Sequence, residues 1–220
     1  MPAGLIAALL LLLLCFLWSF ALMDLILIAL YKLGIPPHVG LSIVFCILLG
    51  SFINIPLKRV KTVAKVPLNL RQLYGANRWF SRQVFKKNEM VIAVNIGGCV
   101  VPSALAIDQL VRLFNAEIIW FPIIAILINA AVCYRLSEIK PGVGILLPAF
   151  LPGIIAAVCG LILSPENPAA VAFCAGILGP LIGADLLRLN QIIASGSASI
   201  GGAGTFDGIV ISGFIALILS

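Results

Sequence analysis

Residues 5–30 read LIAALLLLLLCFLWSFALMDLILIAL, an apolar run with one ionisable side chain, Asp24. About 20 apolar residues carry a helix across a ~30 Å hydrocarbon core, so this stretch is long enough to span a bilayer. No basic residue precedes Lys32, whereas a secretory signal peptide needs a positive start and a shorter apolar core. The run is expected to remain in the mature protein as its first transmembrane helix.

The remaining sequence follows the same pattern. Of 220 residues, 62% are hydrophobic and 10% charged, against roughly 25% charged in an ordinary soluble domain. So few charges cannot cover a water-facing surface. That excludes a soluble enzyme, a nucleic-acid module and a secreted disulfide scaffold. Further spans are expected at Val39–Leu57, Met90–Leu110, Ile118–Leu136, Val143–Leu163, Pro168–Leu189 and from Asp207 to Ser220. The expected fold is all-α: a polytopic transmembrane helix bundle of about seven spans, forming a single integral membrane domain over residues 1–220. The last span is short. Unless it starts within Ser195–Phe206, it is re-entrant or begins deep in the bilayer at a water-filled cavity.

Charge sets the expected orientation. Nine basic residues and no acidic one lie between Lys58 and Lys87. Flanked by apolar spans, this cluster reads as a cytoplasmic loop rather than a nucleic-acid patch. The amino terminus is then inside and the carboxyl terminus outside, with 12 of the 14 basic residues on the inner side. A multi-pass protein of the plasma membrane is expected. Anionic lipid headgroups are the expected partner of the loop, at about 1 kcal/mol per basic residue near the surface. Leu73, Tyr74, Trp79 and Phe80 among the cations point to an interfacial amphipathic segment on the inner leaflet, interrupted near Pro67. No internal repeat is visible.

Cysteine and histidine supply no metal or cofactor site. The six cysteines fall in apolar stretches without a Cys-x-x-Cys pair, which suits small apolar packing residues. The one histidine, His38, follows Pro36-Pro37 in a short loop.

Ionisable residues inside spans are costly and therefore informative. Asp24 and Asp108 approach the outer ends of their spans, where interfacial solvation accounts for them. Asp185 and Asp207 differ, because the sixth span descends to the first and the seventh ascends from the second. Both carboxylates then face one another in the same leaflet. A close carboxylate pair does not ionise twice at low cost, so it shares a proton. One member can activate water while the other protonates a leaving group. The plainer alternative makes Asp207 a helix N-cap and Asp185 a solvated helix end beside Arg188.

The neighbouring residues favour a site. The stretch from Ser199 to Asp207 is rich in glycine, and Gly201, Gly202 and Gly204 with Thr205 would let a substrate backbone approach closely. Asn95, followed by Gly97 and Gly98, lies one turn into the third span, and Asn129 lies in the inner half of the fourth. Each amide either joins the site or bonds a neighbouring helix. Gly176, Gly179 and Gly183 allow close helix packing before Asp185. Pro148 and Pro152 mark a kinked or broken fifth helix.

The run Asp207-Gly-Ile-Val-Ile-Ser-Gly-Phe-Ile-Ala-Leu-Ile-Leu219 resembles the sequence after the second catalytic aspartate of signal-peptide-peptidase-like intramembrane proteases. The likeness covers Gly202 to Leu219. Here Thr205-Phe206 separates Gly202-Ala-Gly204 from Asp207, whereas that family places aspartate directly after the second glycine. Its Pro-Ala-Leu motif has no counterpart after Asp207, and Pro102-Ser-Ala-Leu105 lies elsewhere. Across the whole chain, segments 179–187 and 199–208 resemble a prokaryotic membrane-protein family of unknown function. The protease resemblance implies a catalytic pair at Asp185 and Asp207 acting on a transmembrane peptide. Two alternatives stay open. The same aspartates would bind a proton, cation or small solute in a transporter or channel-like protein, or the polar residues would serve helix packing in a non-catalytic assembly partner.

Overall fold

The opening apolar run forms helix α1, Ala3–Lys32, in the computed structural model of the protein. The structure describes residues 3–66, 84–140, 144–148, 150–189, 191, 198–202 and 207–220. Gly34, at φ +73°, turns the chain, and Pro36-Pro37 starts α2, Pro37–Gly50, where a proline without an N–H costs nothing. Five further α-helices follow among the described residues: α3 (Val101–Asn115), α4 (Trp120–Leu136), α5 (Phe150–Leu163), α6 (Pro168–Pro180) and α7 (Gly208–Leu219). π-helical segments precede α3, at Ile96–Val100, and extend α6, at Leu181–Leu186.

The protein is mostly helical but not all-α. The second expected span ends as a helix at Gly50, and the third begins only at Ile96. Between them, β1 (Asn54–Val66) pairs antiparallel with β2 (Val84–Asn95), with a register shift between Pro56 and Lys58 beside the proline that cannot donate to the ladder. Runs such as Met90–Val94 are apolar and rich in β-branched residues, so hydropathy alone does not separate strand from helix; here pairing with β1 decides. Thus the ends of the basic 58–87 segment, expected to be an interfacial amphipathic segment, are strands, while Pro67 and the aromatic residues 74, 79 and 80 lie outside the described residues. The fifth expected span is also divided: β3 (Glu138–Lys140) and β4 (Gly144–Leu146) form a hairpin ahead of α5. Finally β5, Ala198–Ile200, adds parallel to β2 to give the order β1-β2-β5.

Among the described residues, three helical stretches are long and apolar enough to cross a membrane: Leu10–Lys32, Ile96–Asn115 and Pro168–Leu186. The apolar helices α2, α4, α5 and α7 run 14, 17, 14 and 12 residues, or about 18–26 Å at 1.5 Å per residue. Each falls short of a ~30 Å core on its own. From Leu10 to Phe20, α1 exposes leucine and aromatic side chains, with Leu12 and Trp18 at 67% and 65%. An exposed apolar surface of that extent suits hydrocarbon rather than water.

At the centre stands α6, where Val171 to Ile177 are all buried. It packs against α4, α5 and α7. Phe173 and Ile177 meet Leu30 of α1, Val44 of α2 and Ile209 and Leu217 of α7 in one cluster. Val171 and Cys174 pack with Ala125 of α4 and Ala156 of α5 in another. Cys99, Cys133, Cys159 and Cys174 are buried free thiols, but Cys15 and Cys46 are exposed. The Lys32 ammonium donates to the Leu217 and Ile218 carbonyls at 3.1 and 3.2 Å, capping the negative end of α7. Nearby, Gln109 donates to Leu33 O and Arg112 pairs with Asp108 at 2.9 Å. The C-terminal ends of α1, α3 and α7 therefore share one end of the bundle, and the three-stranded sheet lies at the starts of α3 and α7.

Candidate functional site

Asp185 sits in the π-helical segment that follows Pro180. Wide π turns inside α-helices recur at functional sites, and this one is held from both sides. A Cβ on Gly183 would collide with the Ala130 carbonyl, so α6 can approach α4 this closely only with glycine there. Ala184 is buried, and Asp185 is half-buried.

Asp207 comes from the opposite direction as the N-cap of α7, its Oδ1 accepting the Ile209 N–H at 3.0 Å. One oxygen thus does the capping work that the sequence allows for. Capping does not exhaust the residue. Asp185 and Asp207 line one cavity of about 180 Å³, and the two carboxyl groups interact electrostatically. Ala184 and Ile209 line the same space, facing Ile145, Leu146 and Leu147. Arg188, the possible counter-ion of Asp185, points elsewhere. Its Nη2 donates to the Tyr134 carbonyl, and its guanidinium lies 4.6 Å from the centre of the Tyr134 ring.

Of the other candidate residues, Gly201 reaches Asp185 through its backbone. The Gly201 N–H donates to the Asp185 carboxyl. Gly201 adopts φ +67°, and a Cβ there would stand 2.7 Å from the Gly98 carbonyl carbon, so glycine meets both a conformational and a steric demand. Gly202 follows it in the turn, while Gly204 and Thr205 lie outside the described residues. Gly97 packs on the Ile47 carbonyl and Ser51, seating the first turn of the third helix on the end of α2.

Asn95 organises this junction from within. It is fully buried. Its Oδ1 accepts the Gly98 N–H at 2.7 Å, and its Nδ2 donates to Ser51 O at 2.7 Å and Asn54 Oδ1 at 3.1 Å. Ser199 Oγ in β5 also bonds Asn54 Oδ1, at 3.2 Å. With these bonds made, the buried amide has no free face for a substrate: it holds β1, β2, β5 and the π turn together. Asn95→Ala strands the Gly98 donor and the Ser51 acceptor, at about 1–3 kcal/mol per buried unsatisfied group. Thermal unfolding in detergent is expected to show that loss; an unchanged melting temperature would refute this role.

Asn129 is not at the site. It donates to Ala175 O at 2.8 Å and packs on Gly179, a helix-to-helix bond between α4 and α6. Gly176 packs likewise on Gly213 of α7.

The family comparison joins this geometry to a group of sequences. A family model described as a protein of unknown function, DUF1614, matches residues 48–219. The chain belongs to the DUF1614 family. The matched region runs from the end of α2 to the end of α7 and includes both aspartates, the sheet and the cavity. Neither the curated proteins nor the solved structures gave a match.

Ile145–Leu147, which line the cavity with the two aspartates, are not among the residues the sequence singles out. The available signal was Pro148: a proline that breaks the fifth span leaves the residues before it free to adopt another structure. The roles of Ser51, Asn54 and Ser199 were not legible, because each depends on contacts between segments distant in sequence.

Proposed function

We propose that this DUF1614 protein is an intramembrane hydrolase of the aspartyl-protease type in the plasma membrane, acting on a transmembrane peptide. The observation that carries the reading is the shared cavity, into which two separate helical segments bring Asp185 and Asp207. One carboxylate takes a proton from water as the water oxygen attacks the peptide carbonyl. The other, protonated, gives its proton to the amide nitrogen as the C–N bond breaks. The products are a carboxylic acid and an amine, and no further reactant is needed.

Depth supports the intramembrane element. The far end of α7 is tied to Lys32 at the end of α1, and its 12 residues span about 18 Å. From one face of a ~30 Å core, that length leaves Asp207 within the hydrocarbon level, where carboxylates need a polar or water-filled recess. Next to it β5 is an edge strand of its sheet, a backbone template for an extended peptide. Gly201 and Gly202 follow β5 directly.

We place the β1–β2 hairpin on the cytoplasmic side, against anionic headgroups, with the amino terminus inside and the carboxyl terminus outside. A reporter inserted within 67–83 is therefore expected to be cytoplasmic; extracytoplasmic activity would reverse the topology.

The activity test co-expresses the wild-type protein with a panel of single-span peptides. Fragments cut within the span are expected. Absence of cleavage across the panel, together with pH- or ion-dependent solute uptake by vesicles, would assign the site to transport instead.

A further inference from the structure

We infer that Ile145 and Leu147 select the substrate side chain beside the scissile bond, admitting aliphatic residues and excluding aromatic ones. This inference rests on the hydrolase reading and goes further, to the class of sequence that is cut.

The wall opposite the carboxylates is short and apolar. Ile145, Leu146 and Leu147 face the space lined by Asp185 and Asp207, so a group held there touches both the chemistry and this segment. Of the three, Ile145 in β4 and Leu147 just after it are half-buried, whereas Leu146 is 41% exposed, so the first two form the more enclosed part of the wall. The hairpin register fixes the segment, with Ile145 opposite Ile139 and Leu146 opposite Glu138. Among the described residues, Pro180, Ala184, Gly208 and Ile209 complete the lining, with no positive charge or amide side chain. Apart from the two carboxylates, these residues recognise shape and apolarity.

Its volume limits the occupant. The cavity holds about 180 Å³, whereas an apolar cavity of about 150 Å³ accommodates benzene and one water needs at least about 10–15 Å³ on this measure. Once the attacking water is present, roughly a ring-sized space remains, and the scissile peptide group must share it. A valine or alanine side chain leaves room for that group, but a phenylalanine ring does not. Hydrophobic pockets discriminate by about 10–200-fold per methylene, so exclusion of a whole ring reaches at least the lower end of that range.

The experiment maps the cut in one cleaved single-span peptide, then varies the adjacent residue through Ala, Val and Phe. Full-length wild type is expected to cut the Val peptide at least about 10-fold faster than the Phe peptide. Leu147→Ala should raise the ratio of Phe to Ala cutting about 10-fold, and Leu147→Phe should lower the ratio of Val to Ala cutting. Membrane abundance and the melting temperature in detergent report that each variant is folded, and Ile145→Ala replaces Leu147→Ala if that variant is lost. Equal cutting of Val and Phe by wild type, or folded variants that keep the wild-type order of preference, overturns the inference alone. If wild type cuts none of the panel, the hydrolase reading fails, and this one with it.

Discussion

Asp185→Asn and Asp207→Asn are each expected to lower cleavage of a single-span peptide by about 10²–10⁴-fold, the range that positioned acid–base groups contribute, while the protein accumulates normally. The two effects have one cause, because a carboxylate pair needs one member as base and the other as acid. The double variant is therefore expected to lose little more than either single one, as groups acting as a unit are far from additive. Folding is expected to persist. Asparagine keeps the shape of aspartate, its Oδ1 can accept the Gly201 N–H that Asp185 accepts, and asparagine is as good an N-cap as aspartate at position 207. Asp108→Asn is the control: Asp108 is an exposed partner of Arg112 at the other end of the bundle, and its loss should leave cleavage unchanged. If fragments persist in both single variants, the aspartate mechanism is wrong whatever else cuts the peptide.

The sequence displays some parts of this structure and hides others for a physical reason. The limits of α1, α4 and α7 lie close to the hydropathy boundaries, because a helix in hydrocarbon satisfies its own backbone and needs only apolar length. The strands were hidden. A run such as Met90–Val94 is equally apolar whether helical or extended, and β2 is a strand because β1 and β5 pair with it. Topology alone brought Asp185 and Asp207 to the same end, since their segments run in opposite directions through a short connection. The roles of the asparagines could not be read in the same way. Asn95 and Asn129 look alike in sequence, as amides in apolar runs, yet one fastens the sheet to the π turn and the other joins α4 to α6. Only the partners distinguish them. The wall at Ile145–Leu147 is legible only in part: Pro148 signals a break in the fifth span, but nothing in three ordinary apolar residues announces that they line a cavity with two carboxylates.

Gly201→Ala is the substitution expected to separate precise placement of Asp185 from its mere presence. Two costs add at this residue. Alanine in a left-handed conformation costs about 1–2 kcal/mol, and Gly201 lies at φ +67°. Its new methyl would also stand 2.7 Å from the Gly98 carbonyl carbon and 2.9 Å from the Cys99 amide nitrogen. Those are backbone atoms, so relief comes from moving the turn rather than rotating a side chain. The turn carries the N–H that bonds Asp185, so its movement weakens or misdirects that bond while both aspartates remain. Misplacement by about 1 Å can cost about 10²-fold in rate, more than the stability loss alone would remove from a folded population. The expected result is cleavage reduced about 10–100-fold, with membrane abundance reduced far less. Gly4→Ala is the matched control, because a Cβ there meets nothing within 4 Å. Gly97→Ala gives the contrast: its methyl would strike the Ile47 carbonyl and Ser51, so it should act first on packing and lower abundance and activity together. Wild-type cleavage by Gly201→Ala at normal abundance would show that the Gly201 amide does not hold Asp185 in its working position.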